Sequence, residues 1–479
     1  MAGKRDLLTR VEFTGYWWID AESERNVAGV FTYDPQEGCT LALHGDLWEQ
    51  PDGEIPPILR GLSSSGDKIT LLNCLVLRNK LRSGSFNVVE LACHIALIGN
   101  YYPDESLMFR KSSVRFTNLD DWIFARYVEM KPRKNGDLVF SVKRGRQATL
   151  KCSAGGYEAR LIGEFRANAN SLGAEVSAGT ELYVVAKKPQ ELAWHLSEIE
   201  SINDLASLVF AAPTFLLSVS MYGETKRSER FGSQTEKVSA FFYRDGLRPP
   251  ARSVYPLIAL KRLQIVSPDI LSVWREASDR FREVIDLVIL ILGQHHKTVG
   301  AGFLLSMQAF EAFDRLVHPE QLVSDDDFKV VSDAMIRAIP PGTQIRLRDK
   351  MKAAIQYANE PSLRNRLTSL HKRIAEQYAP EALGFKKSSL ELLVKTRNYL
   401  THYPEALKPF ILSEDKMAEE TDRMCLIILL SIFDELRVSP LEILRAVFLH
   451  NRFRRFVGEL EESILKKQQE SGGSQEQKR

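Results

Sequence analysis

Cysteine is scarce and scattered in this chain: five stand among 479 residues, at Cys39, Cys74, Cys93, Cys152 and Cys425. None falls in a CxxC or similar ligand pair, and the number is odd. That excludes a disulfide framework and a zinc site of ordinary spacing, and it predicts buried thiols in a reducing compartment. Net charge is nearly absent as well, at +2, so bulk charge announces no polyanion partner and any such site must be a local patch. Long apolar runs are missing. The two longest, Val284–Leu292 and Cys425–Phe433, are interrupted by Asp286 and Ser431 and fall far short of the roughly 20 residues that span a bilayer. The opening MAGKRDLLTRVEF has no apolar core of signal-peptide length. A soluble, cytoplasmic protein with no membrane partner is expected.

Common chemical signatures are lacking too. No GxGxxG, GxSxG or HExxH occurs. Gly61-Leu-Ser-Ser-Ser-Gly66-Asp67-Lys68 resembles a phosphate loop, but Asp67 displaces the lysine, and the segment lies between strand-like runs with no helix to follow. His295 and His296 are adjacent, so on a helix they point about 100° apart and do not easily share a metal. No metal and no cofactor are expected.

What is present divides in two. With 44% apolar and 26% charged residues the composition is that of ordinary globular protein, and the length suits more than one core. The first half reads as strands: Val11–Trp17, Val27–Tyr33, Ile69–Leu77 and Val88–Ile98 are alternating or β-branched runs bounded by Gly, Asp and Pro. Asn135-Gly136 and Gly155-Gly156 each separate two such runs, as tight hairpin turns require. A brief helical pattern over Pro189–Ala211 precedes further strands at Thr214–Met221 and Val238–Tyr243, and Asp245–Pro250 reads as a connection. From about Ile265 the pattern is helical: Pro268–Leu292, Ala301–Val317, Ser324–Ile339, Gln344–Tyr357, Ser362–Gln377, Ser388–His402, Glu414–Leu436 and Leu441–Leu465. The expected fold is α+β in two domains, an antiparallel β-rich, sandwich-like domain over residues 1–250 and an all-α bundle over 251–465, with a polar tail over 466–479.

One segment carries candidate chemistry. Arg397-Asn398-Tyr399-Leu400-Thr401-His402 has the spacing used by HEPN ribonucleases, an Arg followed four to six residues later by His, with a polar residue after the Arg. Spacing alone is weak: with nine histidines in the chain roughly two matches arise by chance. Arg366–His371 and Arg445–His450 also match, but Leu and Ala follow those arginines where Asn398 follows Arg397. Ser388 or Ser389 offers an N-cap, Leu390, Leu393 and Val394 a buried stripe, and Pro404 biases Tyr403 out of the α region. His402 then sits in the last turn, where the helix dipole favours imidazolium. Five positions on a regular helix separate two side chains by about 140°, so Arg397 and His402 meet at one phosphate only through an irregular helix end or across two protomers. Asn398 and His402, four apart, share a face.

The chain resembles the ApeA family of bacterial anti-phage proteins. The N-terminal resemblance lies in Gly15-Tyr-Trp-Trp18, Val27-Ala-Gly-Val-Phe-Thr-Tyr-Asp34 and Glu37-Gly-Cys-Thr-Leu-Ala-Leu43, and the C-terminal one in Ser306-Met-Gln-Ala-Phe-Glu-Ala-Phe313 followed by Arg397–His402. The resemblance implies a HEPN helical bundle that cleaves RNA, tRNA among the candidates, dimerises or forms a higher homo-oligomer through the helical domain, and arrests infected cells, while the N-terminal domain senses a phage-derived trigger. Cleavage would be metal-independent: 2′-hydroxyl attack would leave 2′,3′-cyclic phosphate and 5′-hydroxyl ends. His402 would serve as general base or acid, Arg397 would hold the phosphate oxygens, and Asn398 would orient either. Glu311 has two readings, a partner that positions Arg397 or an i,i+4 salt bridge to Arg315.

RNA affinity would come from patches. His450-Asn-Arg452-Phe-Arg454-Arg455-Phe456 interleaves basic and aromatic residues, as a backbone grip with base stacking does and as a half-buried helix with a solvated basic face does equally. Tyr403, beside the motif, is a further RNA contact. Lys131, Arg133, Lys134, Lys143, Arg144 and Arg146 flank the Asn135-Gly136 turn as a second basic cluster. Two other readings remain at this point: a non-catalytic helical dimerisation module with a ligand- or protein-binding β domain, and a carbohydrate-binding sandwich displaying Tyr16-Trp17-Trp18.

Overall fold

The computed structural model describes residues 6–19, 25–45, 47, 58–80, 87–102, 107–124, 128–134, 138–142, 148–170, 173–228, 232–244, 254–293, 298–319, 321–373, 383, 387–447 and 449–456. The chain forms two compact units. The first holds residues 1–210 and 214–275, the second residues 211–213 and 276–479. The expected boundary after residue 250 followed composition; by packing, the segment up to Arg275 belongs with the strands.

The first unit is built from antiparallel strands: β1 Val11–Trp18, β2 Val27–Asp34, β3 Gly38–His44, β4 Ile58–Ser63, β5 Lys68–Lys80, β6 Val88–Ile98, β7 Met108–Phe116, β8 Val128–Pro132, β9 Leu138–Val142, β10 Ala148–Cys152, β11 Tyr157–Asn170, β12 Gly173–Glu191, β13 Leu216–Ser228 and β14 Gly232–Phe242. Strand β6 organises them. One edge pairs with β5 along its length; the other pairs with β3 over Val88–Cys93 and with β14 over Ile95–Ile98. The first six strands therefore close on themselves in the order β1-β2-β3-β6-β5-β4, and the sheet runs on through β14, β13, β7, β12, β11 and β10. Closure removes the edges that would otherwise template further pairing. The β8–β9 ladder stands as a separate two-stranded sheet; its Asn135-Gly136 turn and Lys143, Arg144 and Arg146 lie outside the described residues. The Gly155-Gly156 turn joins β10 to β11, with Gly156 at φ +66°.

Burial inside the closed sheet explains several sequence features. Trp17 is fully buried, and a Cβ on Gly61, its cross-strand partner, would lie 2.3 Å from the Trp17 ring. Glycine is therefore required there. Tyr16 is exposed and Trp18 packs edge-on against Tyr101 at 5.4 Å. The Tyr16–Trp18 triplet thus alternates between faces, with only its middle ring in the core. Cys39, Cys93 and Cys74 stand opposite one another on β3, β6 and β5, with the Cys74 and Cys93 sulfurs 3.2 Å apart. All five thiols are free and buried, and burial pushes Cys39 up to about 12. The segment Gly61–Lys68 is the β4–β5 turn, with Ser63 Oγ accepting from the Asp67 amide.

Short helix α1 (Leu119–Trp122) and the long helix α2 (Leu192–Phe210) complete the strand-rich part, followed by α3 (Leu260–Val266) and α4 (Ile270–Arg280), within which the two units divide. On α2, His195 is fully buried between Ser112, 2.9 Å from its Nδ1, and the Phe109 carbonyl, 2.8 Å from its Nε2. The pair has the look of a nucleophile and its base. Enclosure denies it a substrate, and both ring nitrogens are used in packing α2 on β7.

The second unit contains α5 (Arg282–Gly293), α6 (Val299–Val317), α7 (Asp325–Arg337), α8 (Ile345–Gln356), α9 (Leu363–His371), α10 (Lys387–His402), α11 (Glu414–Glu435) and α12 (Pro440–Val447). Its core is α11, buried continuously over Met424–Phe433, against the Phe303, Met307, Phe310 and Phe313 face of α6. Ser324, Ser362 and Ser413 cap α7, α9 and α11 through their hydroxyls. The helix expected over Pro268–Leu292 is interrupted at Phe281, whose ring stacks on Phe313 at 5.0 Å. The helix expected over Leu441–Leu465 ends at Val447, followed by turns and a 3₁₀ segment at Arg454–Phe456; the tail beyond 456 lies outside the described residues, as do His295 and His296. No helix among the described residues is long and apolar enough to cross a membrane.

Burial holds the imidazole of His195 below its ordinary 6.5. The folded state thus binds this proton less readily than the unfolded state, so the stability it contributes is complete above pH 6.5 and is lost as pH falls through the folded value. Between pH 6.5 and 5, the melting temperature of the wild type is expected to fall more steeply than that of His195→Asn. Parallel curves for the two proteins would refute this.

Candidate active site

Helix α10 ends in a way that exposes its last residues and fastens the turn before them. Leu390 and Leu393 are buried, Val394 half-buried, and Thr396 fully buried. Thr396 Oγ1 donates to the Leu392 carbonyl and accepts from the Leu412 amide at 3.0 Å, pinning the segment after the helix back on it. The helix starts at Lys387, so Ser388 and Ser389 stand in its first turn and not before it. Its other end is set by Tyr403, at φ +49°, whose amide donates to the Tyr399 carbonyl at 2.6 Å. That is a left-handed C-terminal cap, a position usually given to glycine; a bulky side chain there costs about 1 kcal/mol or more. Pro404 disfavours the right-handed conformation at Tyr403, and the Tyr399 and Tyr403 rings meet edge to face at 5.6 Å.

The consequence is an exposed His402 in the last helical turn and an exposed Tyr403 immediately after it. Arg397 is half-buried one turn earlier, and its Nη1 donates to Asn398 Oδ1 at 3.3 Å. Among the described residues no carboxylate pairs with Arg397, and no hydrogen bond joins it to His402. The 140° expected between them is what a regular helix through both residues provides. Lys395, paired with Glu391 at 2.9 Å, covers the exposed Phe410 ring at 5.0 Å.

The other two matches to the motif are built differently. Arg366 and His371 are both buried in α9; Arg366 donates to Asp314 at 3.3 Å, and Asp314 also meets His318 at 3.1 Å. Arg445 is exposed and lies 3.4 Å from Glu442, while His450 is buried and stacked on Phe453 at 5.1 Å. One copy is a core ion pair, one has a surface salt bridge and an enclosed imidazole, and only the copy in α10 leaves both heads open to a ligand.

The remaining sequence candidates fall elsewhere. A Cβ on Gly300, in the first turn of α6, would touch Leu400 at 3.5 Å, so the start of α6 lies against the end of α10. Glu311 is eleven residues further along α6, about 16 Å beyond that crossing, and it pairs with Arg315 at 3.1 Å. Of its two readings, the structure holds the salt bridge. Arg452 donates to Asp422 at 2.7 Å and to the Ile291 carbonyl at the end of α5 at 3.1 Å, and Arg455 shares the Asp422 carboxylate. Two arginines of the basic stripe thus fasten the chain after α12 to α11 and α5. Arg454 is exposed and without a partner among the described residues. Lys131, Arg133 and Lys134 are exposed on the β8–β9 ladder. No group of three His, Cys, Asp or Glu side chains among the described residues is arranged to hold a metal.

Sequence spacing gave the motif its position, but not the cap at Tyr403 or the Thr396 tie. A signal for the cap was present in the aromatic–proline pair after the histidine. Truncating the two arginines separates structural from open copies. Arg366→Ala is expected to cost about 3 kcal/mol, because it leaves buried Asp314 without its guanidinium. Arg397→Ala should change stability by no more than about 0.5 kcal/mol. Urea unfolding of both variants checks this, and equal midpoints would contradict it.

Comparison with known families places both halves. A model of ApeA N-terminal domain 1 matches residues 12–274, and a model of the Apea-like HEPN domain matches residues 304–440. The second match takes in Glu311 and the whole Arg397–Tyr403 segment and ends before Arg452. No curated protein and no solved structure matches the chain. With more than half of its length under one family model and the HEPN model following it, the chain belongs to the ApeA family, whose HEPN domain is of a generally ribonucleolytic, anti-phage type.

Proposed function

We propose that the helical unit is a metal-independent endoribonuclease of anti-phage defence, with Arg397 and His402 at the scissile phosphodiester and the strand-rich unit sensing a phage-derived trigger. One observation carries the reading: of three Arg–His pairs with the same spacing, only this one presents an imidazole to solvent on the same helix as a guanidinium that no carboxylate among the described residues neutralises. Such a guanidinium can bind a phosphate without first breaking an ion pair.

The step is an internal transfer. The 2′-oxygen of the RNA forms a bond to the adjacent phosphorus as the bond from phosphorus to the 5′-oxygen breaks. One imidazole takes the 2′-hydroxyl proton and another gives a proton to the leaving 5′-oxygen. Products are a 2′,3′-cyclic phosphate and a 5′-hydroxyl. Arg397 offsets the charge that builds on the non-bridging oxygens, and Asn398, already bonded to it, fixes its direction. Because the two heads diverge on one helix, a pair of chains would supply the base, the acid and the facing guanidinium together. Tyr403, exposed next to His402, would stack an unpaired base.

Incubation of the purified protein with total RNA in EDTA, followed by mapping of product ends, tests the reaction. Cleavage should persist and leave cyclic phosphates; 3′-hydroxyl ends would rule the mechanism out. His402→Ala and Arg397→Ala should each lower cleavage by 100-fold or more, on the order of a lost general acid–base or charge-stabilising group. Unchanged phage defence in both variants would favour a non-catalytic dimerising module. Tyr403→Phe should retain activity, whereas Tyr403→Ala should raise KM several-fold, consistent with about 1 kcal/mol of base stacking.

A further inference from the structure

Beyond Tyr403 the chain turns back and runs along the helix it has just left. Pro404 opens a 3₁₀ turn over Glu405–Phe410, with Pro409 inside it, and the Leu407 amide donates to the Pro404 carbonyl at 2.9 Å. By Leu412 the returning chain has reached Thr396, whose hydroxyl accepts from the Leu412 amide at 3.0 Å. Phe410 therefore comes to rest beside Lys395, with the Lys395 ammonium 5.0 Å from the centre of its ring. That ring is 51% exposed, whereas Phe303, Phe310, Phe313 and Phe433 of the same unit are fully buried. A single exposed apolar residue is ordinary; what marks this one is where the returning chain sets it down.

Lys395 stands seven positions before His402, so the two lie within about 20° of each other around α10 and about 10 Å apart along it. Asn398, three after the one and four before the other, shares that side, which is the side away from buried Leu393 and Thr396. The order along the helix is then Phe410 beside Lys395, Asn398, His402, and Tyr403 at the end, 68% exposed. One imidazole stands between two open aromatic rings. Glu391 already holds the Lys395 ammonium at 2.9 Å, so this lysine steadies the ring and is no free clamp for phosphate; the ring is the contact. An open aromatic face beside a cation is a stacking platform for a nucleobase, whichever base it is. A base reaches such a ring only outside a duplex, because paired RNA keeps its bases stacked within the helix. We propose that Phe410 is a second base-stacking subsite and that the substrate is RNA unpaired on both sides of the cut, with one base on Tyr403, another on Phe410 and the reacting phosphate between them at His402. The identity of the ligand rests on the nuclease reading; the subsite is a claim about binding and is tested as binding.

Fluorescence anisotropy on the full-length His402→Ala chain separates recognition from cleavage. The probes are a short labelled RNA without self-complementarity and the same strand annealed to its complement. The unpaired strand should bind more tightly than the duplex. Adding Phe410→Ala should weaken the unpaired strand about fivefold or more, while Phe410→Trp keeps the affinity of the parent, and neither should move the melting temperature. Abasic substitution at each position in turn gives a readout that a structural role would not move. One position whose base supports binding to the parent should become silent in Phe410→Ala, and a different one in Tyr403→Ala. The subsite is overturned if Phe410→Ala binds as the parent does, if the duplex binds as well as the single strand, if no abasic position falls silent with the ring, or if no RNA binds. Cleavage by the wild-type chain decides the other claim. Cyclic phosphate ends without the Phe410 pattern would keep the nuclease and remove the subsite; the Phe410 pattern without cleavage would do the reverse.

Discussion

The left-handed turn at Tyr403 governs what the helical unit can present. Had α10 continued, His402 would lie on a helix flank with its neighbours a turn away on either side. Stopping the helix one residue later leaves the imidazole at an open end. The backbone accepts an unfavourable conformation at a bulky residue to do so, and the Thr396–Leu412 bond holds the following segment in place so that the stop is maintained. Strain of this kind persists only where surrounding structure fixes it. Here the fixing groups are a fully buried threonine, a proline with no amide to extend the helix, and the edge-to-face contact of Tyr399 with Tyr403.

The same end geometry shapes the proposed chemistry. An arginine and a histidine about 140° apart on one helix cannot close on a single phosphorus. The half-buried Arg397 leans on Asn398, next to it in sequence, rather than reaching toward His402. A site in which each chain contributes part of the set therefore follows more naturally than one within a single chain. It would also give a simple restraint, since separated chains would each hold an incomplete set.

How much of this was legible beforehand differs by element. Strands β1, β2, β5 and β6 show in the alternation of their residues, and Gly155-Gly156 marks a turn because only glycine takes its backbone shape freely. The closure of the first six strands does not show. It depends on β6 pairing with β3 over one half and β14 over the other, and a pattern of period two says which face is buried but not which strand lies alongside. Strands β7 and β12 escaped because Ser112, Ser113, Thr180 and Glu181 are buried polar residues that break the apolar pattern. In the helical unit the helical periods show in the sequence, whereas the ends do not where contacts from elsewhere in the chain meet them. Arg452 reaching back to Asp422 and the end of α5 is one case; Phe281 stacking on Phe313 is another.

Near-zero net charge turns out to describe a chain whose charges are distributed with purpose. Asp314 takes Arg366 in the core, Asp422 takes both Arg452 and Arg455, and Glu311 and Glu360 take Arg315. Each pairing removes a guanidinium that the sequence alone would offer to a nucleic acid. A buried arginine without a carboxylate would be strongly destabilising, so the helical unit can leave an arginine unpaired only near its surface. Arg397, half-buried at the end of α10, occupies such a place. On the proposed reading, the guanidinium that grips substrate at the reacting phosphate is one that no carboxylate among the described residues has already taken.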